Sequence, residues 1–439
     1  MKPSLCPALF LTAPSSGQGK TTVTAILARW FSRQGKTVRI FKTGPDYLDP
    51  QILEQACGHP VEQLDLWMCG EAYCRQRLYL ASQQSDLILI EGAMGMYDGN
   101  PSSADLAATF GIPLALLMDV SGMAQTAAAL AYGLASYRDD IQVAGLIANR
   151  CGSDYHRNLI DAALPDTLPL LFALQRDEDI SLPERHLGLV QASEITQQLE
   201  QKLNHGADKL AALNPDDFLQ QCGVVEFQPQ TQQQPPALLR NQRIAIARDA
   251  AFSFIYRANL ELLQQMGAEL LFFSPLHDQQ LPDADALWLP GGYPELHLEQ
   301  LSQNQPMLDA IRDFFNANKP ILAECGGFLY CLEQLQPLHG DGVRLLGLLT
   351  GEGIMRDRGG CQGMQAAPLP EGDIRGHSHH RSATRSSEQP LIFAKRARHP
   401  APGEAIYRRK QLTAGYLHLF FPSNPQAVAQ IFSNTHDLV

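Results

Sequence analysis

The residues around Cys325 have the types and spacing that a cysteine nucleophile requires. The run from Lys319 to Leu335 reads KPILAECGGFLYCLEQL, in which an apolar segment ends at Glu324 and two glycines follow the cysteine. A thiol at a strand-to-helix turn gains acidity from the helix N-terminus, and backbone N–H groups there can stabilise an oxyanion. We therefore expect a lowered pKa for Cys325 and an oxyanion donor at Gly326.

A cysteine nucleophile also needs a base, and the candidate is His418 in TAGYLHLFFPSNP. A second glycine-rich loop, LPGGYPELH, directly follows an apolar run, and its backbone near Gly292 could supply the other oxyanion donor. Cys331, on the predicted helix after Cys325, is expected to pack in the core. The alternative interpretation of Cys325 is that it is a buried structural cysteine.

A different chemistry is indicated near the N-terminus by SSGQGKTT. Glycine-freed backbone amides and the N-terminus of the following helix can surround a phosphate group. In this motif Lys20 would contact the β- and γ-phosphates, and the hydroxyl of Thr21 would bind Mg²⁺. The strict motif has glycine where this chain has Pro14, and a glycine-rich turn without nucleotide is the alternative. The predicted ATP-binding residues are Ser16, Gly17, Gly19, Lys20, Thr21 and Thr22.

Four carboxylates follow two apolar runs in the same half of the chain. Asp46 and Asp49 lie in FKTGPDYLDP, and Glu91 and Asp98 lie in LILIEGAMGMYDG. Ligands bind at the carboxyl ends of strands in open α/β sheets, so we expect these carboxylates to converge near the γ-phosphate. Because Mg²⁺ prefers oxygen ligands, the predicted metal ligands are Thr21, Asp46 and Glu91. The alternative is that Asp46 and Asp98 only cap turns.

Short apolar runs indicate the strands that must position these residues. In the first half they are ALFLT, TVRIFK, DLILIEG, PLALLMDV and IQVAGLIAN, separated by helical stretches such as 20–34 and 123–136. Strands that are apolar on both faces belong to parallel sheets covered by helices. The pattern predicts an α/β fold: a doubly wound domain with a mostly parallel sheet, then a second α/β domain with strands at RIAIARD, AELLFFS, DALWLPGG and KPILAE.

A change in composition marks the boundary between the two domains. From Cys222 to Arg240 the chain is rich in Gln and Pro and loses its hydrophobic periodicity, which is typical of an exposed linker. We predict a first domain over residues 1–222, a linker over 223–241 and a second domain over 242–439.

The composition excludes several classes of protein. The chain has 439 residues, 45% of them hydrophobic, and its net charge of −12 argues against nucleic acid or an anionic membrane as partner. Nine irregularly spaced cysteines without a C-x-x-C pair favour a reducing cytoplasm over a disulfide framework. No apolar run approaches the ~20 residues of a membrane-spanning helix. Cleavage of a signal peptide near Ser15 would destroy the glycine loop.

Seven segments occur in an order that resembles a known family. They are APSSGQGKTTVT, FKTGPDYLDP, LDLWM, EGAMGMYDG, LPGGYPELH, AECGGFLYC and GYLHLFFPSNP. Together they resemble the cobyrinate or hydrogenobyrinate a,c-diamide synthases of cobalamin biosynthesis, over essentially the whole chain. The resemblance implies an N-terminal P-loop domain similar to dethiobiotin synthetase and a C-terminal glutaminase domain of the class I type.

The same resemblance implies a ligase with three small-molecule substrates: ATP, L-glutamine and a corrin polycarboxylate. Cys325 would attack the side-chain amide of glutamine and release ammonia through a thioester. The first domain would use ATP and Mg²⁺ to convert a corrin carboxylate into an acyl phosphate, which ammonia would attack. The order of the two amidations, the presence of cobalt in the substrate and the oligomeric state, with a homodimer as one option, are left open.

The loop after the second predicted strand gains roles from the resemblance. Pro50 is expected to hold Asp49 in an extended conformation, which would fix the direction of its carboxylate. The corrin carboxylates would suit either this loop or the stretch from Arg356 to Lys410, which has eleven Lys and Arg residues against five Asp and Glu. The residues with implied roles are Asp46, Asp49 and Asp98 in catalysis and Tyr47 and Leu48 in substrate binding.

One segment departs from the family pattern, because GHSHHRS has His379 where an aromatic residue is usual between two histidines. No carboxylate or cysteine accompanies His377, His379 and His380 at ligand spacing, so we do not predict a metal site there. Three alternative functions stay open. They are a cysteine hydrolase of the α/β-hydrolase kind, a P-loop switch or partitioning protein, and another tetrapyrrole amidase such as cobyric acid synthase.

Overall fold

The computed structural model describes residues 2–182, 184–185, 188–189, 195–213, 218–230 and 235–433. The chain divides into two compact units, Met1–Gln232 and Gln233–Val439. This division falls inside the segment predicted as a linker, of which residues 231–234 lie outside the described part. Among the described residues, no helix combines the length and apolar character needed to cross a membrane.

The first unit is built on a mostly parallel sheet, as predicted. Seven strands are parallel in the spatial order β3-β2-β4-β1-β5-β6-β7. A separate two-stranded pair, β8 and β9, follows them in the chain. The strands are β1 (Ser4–Thr12), β2 (Val38–Thr43), β3 (Glu62–Leu64), β4 (Leu87–Glu91), β5 (Leu114–Asp119), β6 (Val143–Cys151), β7 (Leu170–Gln175), β8 (Glu184–Arg185) and β9 (Gly188–Leu189).

Helices cover both faces of this sheet. Alternate residues of β1 point into opposite cores: Ala8 and Phe10 join one hydrophobic cluster, and Leu9 and Leu11 join the other. This arrangement confirms the doubly wound α/β fold and explains why the strands are apolar throughout. The helices are α1 (Lys20–Arg33), α2 (Leu48–Cys57), α3 (Glu71–Ser82), α4 (Ser103–Phe110), α5 (Gln125–Ala135), α6 (Asp154–Asp161), α7 (Thr196–Ala211) and α8 (Phe218–Cys222).

The start of the predicted exposed linker is instead a strand, β10 (Val224–Phe227). It pairs antiparallel with the beginning of β1, with Val225 opposite Cys6. Val225 and Phe227 are buried, whereas the two residues that alternate with them are exposed. In VVEF, buried and exposed positions alternate with a period of two, as in a strand. The Gln and Pro residues around this segment nevertheless led to the prediction of a linker.

The second unit contains a ten-stranded sheet, which is parallel in one half and antiparallel in the other. Its order is β12-β11-β13-β14-β23-β22-β21-β18-β19-β24, and the first five strands are parallel. A smaller sheet has the order β16-β15-β17-β20. The strands are β11 (Arg243–Ala247), β12 (Glu269–Phe273), β13 (Ala286–Leu289), β14 (Ile321–Glu324), β15 (Leu332–Gln336), β16 (Val343–Arg344), β17 (Leu349–Met355), β18 (Gly363–Leu369), β19 (Gly372–Ser378), β20 (Ser382–Arg385), β21 (Ile392–Arg396), β22 (Pro402–Arg409), β23 (Leu412–Gly415) and β24 (His418–Leu419).

Two hydrophobic clusters form the core of this unit, and Cys331 is fully buried in one of them, as predicted. The basic stretch from Arg356 to Lys410 contributes strands β18 to β22. The helices are α9 (Arg257–Gln265), α10 (Leu298–Gln303), α11 (Gln305–Asn316), α12 (Gly326–Cys331) and α13 (Pro425–Phe432), with short 3₁₀ helices at Pro294–Leu296 and Phe421–Ser423.

Candidate active sites

The glycine loop lies between β1 and α1, in front of the first turn of the helix. Gly17 and Gly19 have φ angles of 78° and 93°, a left-handed conformation that favours glycine. A Cβ atom at Gly19 would also lie 2.4 Å from Nδ2 of Asn149, which donates a 2.8 Å hydrogen bond to the carbonyl oxygen of Gln18. Asn149, near the end of a buried strand, thus fixes the loop, a role that the sequence analysis missed.

Lys20 is buried and is held by backbone carbonyl groups. Its Nζ donates to the oxygen of Met94 at 2.6 Å and to that of Ser15 at 3.2 Å. Burial, followed by the positive charge of Lys42, lowers the pKa of Lys20 to about 8. A phosphate group in the loop would supply the negative charge that a buried ammonium group needs.

Lys42 lies at the centre of the predicted carboxylate cluster. Its Nζ is 2.6 Å from Oε1 of Glu91, 2.8 Å from Oδ2 of Asp49 and 3.9 Å from Oδ2 of Asp46. The register of β2 and β4 places Lys42 opposite Glu91. The structure thus brings Asp46, Asp49 and Glu91 together around a lysine that the sequence analysis did not select. A signal was present, since Lys42 places a charge in a buried strand two residues before GPDYLDP.

Burial and mutual charge set the protonation of this cluster. Burial, together with the negative charge of Asp49, raises the pKa of Asp46 to about 7. Although burial acts in the opposite direction, the charge of Lys42 lowers the pKa of Asp49. Burial raises the pKa of Glu91, which is fully inaccessible to solvent. The cluster therefore combines a firmly ionised pair, Asp49 and Lys42, with a carboxyl group, Asp46, that can exchange a proton near neutral pH.

The predicted magnesium ligands include a buried oxygen atom without a partner. Thr21 Oγ1 donates to Glu91 Oε1 at 2.8 Å, and Lys42 contacts the same oxygen. Glu91 Oε2 is buried and has no hydrogen-bond partner among the described residues. An orphaned carboxylate oxygen on a residue that also binds a threonine hydroxyl suits a hard cation such as Mg²⁺. The donor set is compatible with the predicted ligands Thr21, Asp46 and Glu91.

Asp98 lies apart from this cluster. Its carboxylate is exposed and accepts a 3.2 Å hydrogen bond from the backbone amide of Gly95, as in a capped turn. The negative charge of Asp98 nevertheless contributes to the pKa of Lys20. Asp46, Asp49 and Glu91 therefore surround Lys42, whereas the charge of Asp98 acts on Lys20 of the glycine loop.

The loop after β2 continues directly into α2. Asp46 Oδ1 accepts hydrogen bonds from the backbone amides of Leu48 and Asp49, so Asp46 caps the start of this helix. Asp49 lies in the first helical turn, and the expectation of an extended conformation before Pro50 is wrong. Proline is tolerated in the first turn because amides there have no intrahelical partner. Tyr47 precedes the helix, and Leu48, its first residue, is buried.

In the second unit, Cys325 occupies a sharp turn between β14 and α12. Its φ of 47° and ψ of −102° are unusual for a residue with a side chain, and such strain is typical of functional sites. Its backbone amide donates to the oxygen of Gly415 at 2.8 Å. A Cβ atom at Gly326 would lie 2.9 Å from the backbone nitrogen of Gly292. The structure therefore brings the two predicted oxyanion segments into contact beside the thiol.

The predicted lowering of the Cys325 pKa is wrong for this structure. The side chain is 5% exposed, and burial, followed by the negative charge of Glu295, raises the pKa of the thiol. A hydrogen bond with the amide of Gly326 acts in the opposite direction but is weaker. Helix α12 has only six residues, so its N-terminus offers little to offset the desolvation of a thiolate.

His418 lies on β24 with its ring against the glycine turn. A Cβ atom at Gly291 would be 2.2 Å from Cε1 of His418. His418 is opposite His377 on β19, and the two rings stack with centroids 5.1 Å apart. Burial, and then the charges of His380 and His379, lower the pKa of His418 to about 3. The turn at 291–292 therefore adjoins both the predicted base and the predicted oxyanion donor at Gly326.

The GHSHHRS segment belongs to a buried hydrogen-bond network. His377 Nδ1 is 3.0 Å from the hydroxyl of Tyr256. His380 Nε2 is 2.8 Å from Oε1 of Glu404, and its ring stacks on that of Tyr416 with centroids 3.7 Å apart. Glu404 was not predicted from the sequence, because it lies on β22, 24 residues from His380 in the chain.

The fold and these sites define a class of protein that joins a P-loop nucleotide-binding domain to a glutamine amidotransferase domain. Residues 9–190 match the model of the CobQ/CobB/MinD/ParA nucleotide binding domain. Residues 243–426 match the model of the CobB/CobQ-like glutamine amidotransferase domain. Both matches agree with the fold class predicted from the sequence.

Full-length relatives identify the family more closely. A hydrogenobyrinate a,c-diamide synthase from Stutzerimonas stutzeri is 51% identical over 97% of this chain and 98% of the relative. One of the same name from Pseudomonas aeruginosa is 48% identical over 100% of both chains. A cobyrinate a,c-diamide synthase from Herminiimonas arsenicoxydans is 45% identical over 97% of this chain and 96% of the relative. The chain belongs to the family of cobyrinate and hydrogenobyrinate a,c-diamide synthases, which are glutamine-dependent ligases.

Proposed function

We propose that this protein uses ATP and glutamine to amidate the a and c carboxylates of cobyrinate or hydrogenobyrinate. The observation that carries the proposal is the presence, in one chain, of a glycine loop beside a lysine–carboxylate cluster and of a strained Cys325 beside two glycine turns. A P-loop switch has no use for the second site, and a cysteine hydrolase has no use for the first. Full-length relatives with these two substrate names support the choice of corrin acid.

The first unit would activate the carboxylate, which is a poor electrophile because it is negatively charged and lacks a good leaving group. A carboxylate oxygen of the corrin attacks the γ-phosphorus of ATP, which yields an acyl phosphate and ADP. Lys20 and Lys42 would stabilise negative charge on the transferring phosphoryl group. Thr21, Asp46 and Glu91 would hold Mg²⁺, which neutralises charge on the phosphate oxygens when it is bound.

Ammonia then attacks the acyl carbon and expels phosphate, and the nitrogen loses one proton as the amide forms. Asp46 and Asp49 are the carboxylates available to accept that proton. Asp98 would contribute to catalysis beside Lys20 of the glycine loop. Tyr47 and Leu48 would contact the corrin.

The second unit would supply the ammonia. The Sγ atom of Cys325 attacks the side-chain amide carbon of glutamine, and His418 takes the thiol proton and passes it to the leaving ammonia. Backbone amides at Gly292 and Gly326 would stabilise the oxyanion. Water then hydrolyses the thioester and releases glutamate.

We further propose a cytoplasmic location and small-molecule substrates only, with a homodimer as an option. The location is supported by the nine cysteines, all of which are free. The basic stretch 356–410 is a weaker candidate for corrin binding than the loop after β2, which contains Tyr47. Two of its arginines, Arg408 and Arg409, pair with Glu371 and Glu388.

The test is to incubate the purified protein with cobyrinate or hydrogenobyrinate, each with ATP, Mg²⁺ and glutamine, and to analyse the products by mass spectrometry. We expect ADP, glutamate and an a,c-diamide with one or both acids. The Cys325→Ser variant should lose glutamine-dependent amidation but retain amidation driven by ammonium salts. Absence of ATP-dependent amidation with both acids would overturn the proposal. Equal loss of both nitrogen sources in a folded Cys325→Ser variant would overturn the separation of roles.

A further inference from the structure

Glu295 lies beside the nucleophile, on the short 3₁₀ helix that follows the glycine turn. The neighbouring Pro294 packs against the residue after Cys325, because a Cβ atom at Gly326 would be 2.8 Å from Cδ of Pro294. Tyr293, on the other side, packs edge-on against the ring of Phe254, with centroids 4.9 Å apart. The backbone that carries Glu295 is therefore fixed next to the thiol by packing on both sides.

The carboxylate of Glu295 lacks the partners that the neighbouring carboxylates have. Three acidic groups act on the charge of the Cys325 thiol, and Glu295 has the largest influence of the three, ahead of Glu404 and Glu324. Glu324 accepts two hydrogen bonds, and Glu404 is hydrogen-bonded to two side chains. Among the described residues, Glu295 forms no ion pair, and its carboxylate interacts only with its own backbone amide.

A structural role does not account for this carboxylate. It is half-buried, so that a ligand can reach it, and burial raises its pKa to about 7. It also opposes ionisation of the nucleophile, which is a disadvantage for catalysis unless a positive charge joins it during the reaction. Glutamine carries such a charge on its α-ammonium group. This group lies at the opposite end of the molecule from the amide that the thiol attacks.

We propose that Glu295 binds the α-ammonium group of the glutamine substrate. The inference rests on the proposed glutaminase function of this unit and assigns a specificity-determining residue to it. An ammonium–carboxylate pair is charge-assisted and therefore strong in a partly buried site. Formation of that pair cancels the negative charge that opposes thiolate formation, so glutamine would help to activate the nucleophile that attacks it.

The experiment compares two substrates of the full-length protein: glutamine and glutaramate, which is glutamine without its α-amino group. Ammonia release from both is measured in the wild type, in Glu295→Gln and in the matched control Glu299→Gln, an exposed glutamate on α10. In Glu295→Gln we expect kcat/KM for glutamine to fall by about 10²-fold while that for glutaramate does not fall. Glu299→Gln should behave like the wild type.

A second measurement follows alkylation of Cys325 by iodoacetamide without glutamine, read by mass spectrometry of the peptide that contains it. Glu295→Gln should accelerate alkylation at neutral pH, because the thiolate is then less disfavoured. The inference is overturned if Glu295→Gln leaves kcat/KM for glutamine unchanged, or lowers it equally for both substrates. If the wild type does not hydrolyse glutamine at all, the proposed function itself fails, which is a distinguishable result.

Discussion

The carboxylate of Glu324 accepts a 2.8 Å hydrogen bond from the backbone amide of Leu419. Glu324 immediately precedes Cys325, and Leu419 immediately follows His418, so this bond joins the segments that carry the proposed nucleophile and base. The other carboxylate oxygen accepts a 2.9 Å bond from Nε1 of Trp288. Both side-chain oxygens of the buried Glu324 thus accept a hydrogen bond, and they link the two segments.

Glu324→Gln should impair glutamine hydrolysis. The side-chain nitrogen of the new residue cannot accept a hydrogen bond, so one of the two buried N–H donors would lose its acceptor. An unsatisfied buried donor costs about 1–3 kcal/mol, which corresponds to a loss of roughly 10–10²-fold if it appears in kcat. Ammonium-dependent amidation should be retained. Steady-state kinetics with both nitrogen sources will check this, and unchanged glutamine hydrolysis would show that Glu324 does not position the site.

The same residue predicts a pH dependence of stability. Burial raises the pKa of Glu324 from 4.5 to about 8, so the folded protein keeps a proton that the unfolded chain releases between these values. Since the folded state binds more protons in this window, the free energy of unfolding decreases as pH rises from about 4.5 to 8. Melting temperatures measured across this range should show a steeper decline for the wild type than for Glu324→Gln. Parallel plots of melting temperature against pH for the two proteins would contradict the raised pKa of Glu324.

His418→Ala should lower glutamine hydrolysis by roughly 10²–10⁴-fold if His418 is the general base. The ring lies against the glycine turn that adjoins Gly326, the residue after Cys325. His339→Ala, at an exposed position, is the matched control and should have wild-type activity. Retained hydrolysis in His418→Ala would transfer the role to another residue, with His377 and His297 as the next candidates.

Lys20→Ala and Glu91→Gln should each abolish amidation with either nitrogen source. Lys20 would lose its contact with the transferring phosphate, and the change at Glu91 removes the charge of a buried oxygen that suits Mg²⁺. Lys36→Ala, which removes an exposed lysine of the same unit, serves as the control. Product analysis with glutamine and with ammonium salts provides the measurement, and normal amidation in either variant would refute the assignment.

Changes at Asp98 and in the loop that precedes α2 should separate catalysis from nucleotide binding. Asp46→Asn and Asp98→Asn should reduce the amidation rate much more than the affinity for ATP, because Asp46 faces Lys42 and Asp98 only approaches Lys20. Substitution of Tyr47 or Leu48 should allow the monoamide to accumulate, and its release would show that the two amidations are separate events that need the corrin to rebind in a new orientation. Time-resolved chromatography and ATP titrations will test this, and wild-type profiles in all four variants would reduce the loop to a structural role.

Local sequence patterns were enough to predict the two α/β domains, the glycine loop and the turn at Cys325. These features have local patterns: strands buried on both faces are apolar throughout, and turns that need positive φ angles or close backbone approach contain glycine. Family segments in a fixed order then indicated the reaction. The prediction for β10 was wrong because composition outweighed a short pattern, and that for the pKa of Cys325 was wrong because a local rule ignored burial.

The charges that act on each site could be identified only from the folded protein. Lys42 and Glu91 are 49 residues apart in the chain, and strand register places them opposite each other. Glu295 and Glu404 acquire their influence on Cys325 in the same way, from other segments of the second unit. The physical reason is that a pKa depends on burial and on the distance to other charges, and both quantities arise only when distant segments pack together.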